Sequence, residues 1–142
     1  FRAAKRSQEV HVAALQAAMD ELAVKASSAG APEVPLTKDT KANIAAALAW
    51  IDAERRDHLA EAASAARAEG RKGAETPLNY TRQALTEIAR FLRPLSTASL
   101  DDFRSGKVPY YVDRTCGFVV AKLDFKKCPV CYSKVDNFEK VE

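Results

Sequence analysis

The chain is poor in cysteine: 142 residues hold three, and none precedes Cys116. An odd number confined to positions 116–131 makes no disulfide framework and suits a metal knuckle, which favours a reducing, cytoplasmic setting. No apolar run approaches the ~20 residues that a membrane span needs. The opening residues do not read as a signal peptide, and the first of them is Phe1, not methionine. The chain opens on "FRAAKRSQEV", already in helical register, so a preceding helix is expected to be missing from it. Charge of one sign is not in excess either. A net charge of +3 comes from scattered lysines, not from a basic stripe, and this argues against nucleic-acid binding.

What is present divides near residue 95. Before it, Ala, Leu, Glu, Lys and Arg dominate, which are strong helix formers. After it, Tyr, Val, Phe, Pro and Gly read as short strands and turns. Periodicity predicts a first helix over about 1–26, with an apolar stripe through His11, Leu15, Met19 and Leu22. The loop "SSAGAPEVPLT" follows. A second helix, capped by Thr37 or Asp39, runs to about Glu69 with Gly70 just beyond. Its stripe is Ile44, Ala47, Leu48, Ile51, Glu54, His58, Ala62 and Ala65. A third helix is predicted from Pro77 to Leu92, with Leu85, Ile88 and Leu92 on one face. A linker follows, in which Ser99 could cap one further turn. The expected organisation is a helical bundle over 1–98 and a small strand-rich domain over 99–142.

Cys128-Pro129-Val130-Cys131 forms half of a four-cysteine site. Two such turns facing each other make a tetrahedral sulfur cage for zinc or iron. The other half ends in Cys116-Gly117-Phe118, but Asp113 stands where its first cysteine should be. The site is therefore Cys116, Cys128 and Cys131, with Asp113 as the fourth ligand or the fourth position open. The bland alternative is three small buried residues in a relic hairpin.

The order Tyr110/Tyr111, Cys116-Gly117-Phe118, Cys128-Pro129-Val130-Cys131, Phe138 resembles the rubredoxin-like tail of the rubrerythrins. The helices resemble the same family. Residues 1–15 look like the second helix of its ferritin-like four-helix bundle, "LTKDTKANIAAALAWIDAERRDHLAEAASAARAEG" like the third and "NYTRQALTEIARFL" like the fourth. The resemblance implies a mainly α, ferritin-like antiparallel bundle, its first helix absent here, followed by a small β-rich rubredoxin-like knuckle. In that family the tail passes electrons to a di-iron centre that reduces peroxide.

Carried over residue by residue, the di-iron ligands look depleted. One Glu-x-x-His falls on Gln8 and His11, a glutamate pair on Ile51 and Glu54, and the last Glu-x-x-His on Glu87 and Arg90. Neutral Gln8 and Ile51 remove negative charge and Arg90 adds a positive one that arginine does not give up. The expectation is that Arg90 replaces the metal charge and pairs with Glu54 and Glu87, with His58 nearby. This predicts one zinc or iron ion in the knuckle and no di-iron centre. It also predicts a non-catalytic scaffold or accessory subunit, either a homo-oligomer or part of a larger complex that completes the bundle, with Trp50 as a candidate contact. The alternatives are a rubrerythrin-type peroxide reductase and an electron carrier that uses the tail alone.

Overall fold

The computed structural model describes residues 1–22, 37–97 and 108–141. Helix α1 spans Arg2–Glu21. Helix α2, Thr40–Ala53, starts at Asp39, whose side chain accepts from the Lys41 N–H; of the two candidate caps, Asp39 is the one used. A single π-helical segment, Glu54–His58, joins α2 to α3, Leu59–Ala68. The backbone stays right-handed helical at Glu54, His58 and Leu59, so the three pieces form one rod. Gly70, at φ +69°, ends it where the sequence indicated. Predicted ends that fall in 23–36, Ser99 and the 98/99 boundary lie outside the described residues.

The π-helical segment changes the rod's buried face. An i→i+5 turn holds one more residue than an α turn, so every later side chain is rotated by about 100°. Ile44, Leu48 and Ile51 are buried as the periodicity required. Beyond the segment, Leu59, Ala63 and Ala66 are buried, while the expected Ala62 and Ala65 face solvent. His58 does not sit in a helix seam: its side chain is 72% exposed.

Helix α4, Lys72–Thr97, is longer at both ends than the predicted Pro77–Leu92. The Arg71 carbonyl accepts from the N–H groups of Ala74 and Glu75, which starts the helix directly after Gly70. Pro77 then falls in the second turn and Pro94 in the last, and each removes one N–H from the i→i−4 ladder of a helix that continues past it. Leu85, Ile88 and Leu92 form the expected buried stripe. Helix α4 packs against α1, α2 and α3.

Three short strands follow: β1 Tyr110–Asp113, β2 Val119–Val120 and β3 Phe138–Val141. They form an antiparallel sheet in the order β2-β1-β3, with Asp113 opposite Phe138 and Val112 opposite Val119. Val112 and Val119 join Ile44, Leu48, Ile51, Leu85, Ile88 and Leu92 in one core, so the sheet is seated on the bundle. A second cluster holds Cys116, Phe118, Cys128 and Phe138, flanked by Tyr80 from α4. Each large apolar side chain so buried contributes roughly 1.5–3 kcal/mol.

Candidate metal centre

Asp113 is the last residue of β1, and its side chain is fully buried. The chain turns there. The Asp113 N–H donates to the Phe118 carbonyl (2.9 Å), and the Gly117 N–H donates to the Asp113 carbonyl (2.9 Å). Oδ1 accepts from the N–H groups of Thr115 (2.7 Å) and Cys116 (3.1 Å) and from Asn137 Nδ2 (3.0 Å). Oδ2 accepts from the Ser133 hydroxyl and lies 3.6 Å from Cys131 Sγ. A buried carboxylate is tolerated only when its oxygens are satisfied in this way.

The opposite turn is held by the Cys128 N–H donating to the Ser133 carbonyl (2.8 Å) and the Tyr132 N–H donating to the Cys128 carbonyl (3.0 Å). It brings Cys128 Sγ to 3.6 Å from Cys116 Sγ. One ligand atom from each of Asp113, Cys116, Cys128 and Cys131 lies within 4.8 Å of the others. Three sulfurs and one oxygen at this spacing suit a single four-coordinate ion. Without a metal, Cys116 and Cys128 share a hydrogen bond in which either sulfur can donate. It lowers Cys128 to about 7 and raises Cys116, which burial pushes up further. Burial also raises Cys131, the least buried of the three. Among the described residues, no other group of three or more such side chains converges as a metal site.

The knuckle is fastened to α1 at the Cys116-Gly117 turn. Ser7 Oγ donates to the Gly117 carbonyl (2.5 Å), and His11 Nε2 donates to the Cys116 carbonyl (3.1 Å). Gly117 has φ +70°, and a Cβ there would lie 2.4 Å from His11 Nε2 and 3.0 Å from the Ser7 carbonyl oxygen. A few residues away, Arg6 is paired with Glu139 on β3. The buried imidazole of His11 is held neutral: desolvation lowers its pKa to about 4. The acid sensitivity follows. Above pH 6.5 His11 is neutral in both folded and unfolded chains. Between pH 6.5 and 4 the unfolded chain takes up a proton that the folded one refuses, so stability falls as pH drops through that window. The loss is expected to be on the order of 3 kcal/mol and to stop below pH 4. Urea denaturation across this range should show a steeper slope for the wild type than for His11→Gln; equal slopes would remove His11 as the cause.

Among the described residues, the helical positions singled out in the sequence make separate contacts. His11 faces the knuckle, with the Gln8 side chain 3.4 Å from its Nδ1. Ile51 is in the core. Glu54 accepts from His58 Nδ1 (3.0 Å), and this bond raises the His58 pKa. Arg90 pairs with Glu87 at 3.5 Å, one turn apart on α4, but its side chain is 78% exposed. The expected Arg90–Glu87 pair is therefore present but at the surface, with no ion pair from Arg90 to Glu54 among the described residues; a long guanidinium on the outer face of α4 reaches water more cheaply than it is buried. Trp50 is exposed, as its place off the stripe implied. Sequence reasoning missed Ser133, Asn137 and Ser7. Their donors reach the site from 20, 24 and 110 positions away, respectively, along the chain, and no local spacing marks them.

No family model and no curated protein matches the sequence. Solved structures do match. Nigerythrin, a rubrerythrin-family protein, in its fully reduced, all-ferrous state is similar with a TM-score of 0.80 at 18% identity, over 98% of this chain and 67% of that one. Its mixed-valence and partially reduced states give TM-scores of 0.78 at 19% identity, over 98% of this chain and 66% of theirs. The chain thus spans about two thirds of nigerythrin's length. It has the nigerythrin fold, a helical bundle carrying a rubredoxin-like knuckle, and in that knuckle a Cys3Asp cluster that could bind one metal ion.

Proposed function

We propose that the chain is a rubrerythrin-like, non-catalytic scaffold or accessory subunit whose knuckle is closed by one structural metal ion. The observation that carries this is the setting of Asp113. Its Oδ1 takes the turn's N–H groups, as a thiolate would, while Oδ2 accepts from Ser133 and lies 3.6 Å from Cys131 Sγ, and one carboxylate oxygen is within 4.8 Å of all three sulfurs. Cys116, Cys128, Cys131 and Asp113 would hold the ion. A mixed sulfur and carboxylate set suits zinc, which supplies charge neutralisation and cross-linking but no redox change. The helical positions support the same reading, because Glu54 is engaged by His58, Glu87 by an exposed Arg90, and Ile51 by the core. Partner contacts in an oligomer or larger complex would act on the bundle, where Val12 and Trp50 are exposed. Three free thiols fit a reducing, cytoplasmic compartment.

Elemental analysis of the purified protein is expected to give about one zinc and no iron per chain. Two or three irons per chain, with peroxide consumption that Glu87→Ala abolishes, would replace this reading with a rubrerythrin-type peroxide reductase. One observation favours such a redox reading. The hydrogen bond from His11 to the Cys116 carbonyl joins the knuckle directly to a helical position that the family resemblance assigns to iron.

A further inference from the structure

The tip of the knuckle, residues 127–134, carries two local costs in its choice of side chains. The first is backbone strain. Tyr132 sits at φ +62°, the only non-glycine residue with positive φ among those described. Glycine adopts that conformation freely, whereas a bulky side chain does not. The positive φ lets the Tyr132 N–H reach the Cys128 carbonyl and close the turn, but the tyrosine side chain does not serve the core: it is 72% exposed, and neither aromatic pair includes it. The second cost is electrostatic. Lys127 and Lys134 are direct partners across the antiparallel bridge that closes this loop. Both are exposed, and neither has an ion-pair partner among the described residues. Like charges directly opposite each other destabilise a pair of strands. Exposed Lys122 and Lys126 precede the loop, with Asp124 as the one acid of that stretch, so the local field is positive.

The turn needs a positive φ that glycine would supply more cheaply, as Gly117 does in the opposite turn; a tyrosine kept there with its ring in solvent points outward. We propose that Tyr132, flanked by Lys127 and Lys134, is the docking point for a protein partner that presents a cluster of carboxylates around a shallow apolar spot. The ring is the kind of rigid aromatic anchor that dominates interface energetics. The two lysines, paired across the bridge, would be neutralised by a pair of carboxylates, which turns the repulsion in the free chain into attraction in the complex. An acidic protein fits better than nucleic acid, because the tip offers one stacking platform, no arginine and no continuing basic stripe. The partner would rest against Cys131, the most accessible of the three thiols. This inference goes beyond the structural-metal reading and holds whether zinc or iron occupies the knuckle.

The test uses the full chain, metal-loaded as purified and labelled with 15N. It is titrated with a synthetic peptide of glutamates around a central leucine, then with a lysine peptide and a single-stranded oligonucleotide. Amide shifts are expected to concentrate at 127–134 with the acidic peptide and to fade as salt rises. Tyr132→Gly and Lys134→Glu should each weaken binding on the order of tenfold. Each should also raise the melting temperature, since one relieves strain and the other converts a repulsive pair into an attractive one. Shifts centred elsewhere, or larger shifts with the oligonucleotide, would overturn the proposal. So would a fall in melting temperature in both variants, because Tyr132 and the lysine pair would then serve the fold. Elemental analysis is independent of all these outcomes, so the two readings can fail separately.

Discussion

Asp113→Ala is expected to destabilise the chain by about 4 kcal/mol, the largest loss from any single side chain of the knuckle. The substitution removes one acceptor pair and strands four donors: the N–H groups of Thr115 and Cys116, Asn137 Nδ2 and the Ser133 hydroxyl. Each donor left dry costs roughly 1–3 kcal/mol, and those nearest the surface recover part of this from water. Asp113→Asn separates structure from metal binding. Asparagine keeps an acceptor for the two backbone N–H groups, so the fold should lose less than half as much. It offers no anionic oxygen to the metal, so zinc affinity should fall at least about tenfold, a loss typical of disturbed metal sites. Denaturant titration and zinc competition read the two effects separately. An alanine variant within about 1 kcal/mol of wild type would show that Asp113 does not organise the turn.

The second large effect is expected at Gly117→Ala. Two costs coincide: a left-handed backbone that alanine resists, and a methyl group driven against His11 and the Ser7 backbone. Gly70 provides the control. It has nearly the same φ, +69° against +70°, but a Cβ there would meet nothing within 4 Å. Gly70→Ala should therefore report the backbone cost alone, about 1 kcal/mol. Gly117→Ala should cost about 3–4 kcal/mol, because the clash also threatens the Ser7 and His11 hydrogen bonds to the turn. The difference between the two variants, measured by thermal or chemical denaturation, is the energy of seating the knuckle on α1. Equal losses would mean that the turn can lift off α1 without penalty.

These two residues show what the sequence could and could not disclose. Asp113 was legible as a candidate ligand because spacing alone placed it opposite the Cys-Pro-Val-Cys turn. Its hydrogen-bond donors were not legible, because Ser133 and Asn137 meet it only after the chain has folded back. Gly117 read as part of a motif, but its closeness to His11 depends on how α1 lies against the sheet. His11 lies on a buried face, as the stripe implies, and its hydrogen bond to the Cys116 carbonyl was not legible, since periodicity gives a side chain's direction and not what waits there. For Arg90 the pairing with Glu87 was legible and its exposure was not. A position inherited from a resemblance carries no information about where a longer, charged side chain will turn.

The rod from Thr40 to Ala68 illustrates the same limit on a larger scale. Locally, "AWIDAERRDHLAEAA" favours an uninterrupted α-helix, and its apolar residues line up well enough on that assumption. The folded chain instead accepts a widened turn at Glu54–His58. Local and global preferences disagree at this point, a small island of frustration in an otherwise consistent sequence. The wide turn should therefore belong to the assembled protein and not to the segment. Excised as a peptide, 40–68 would regularise, spread its extra residue along an ordinary helix and present Ala62 and Ala65 where the intact protein presents Ala63 and Ala66. The packing of α4 against both halves of the rod is what selects the less regular winding.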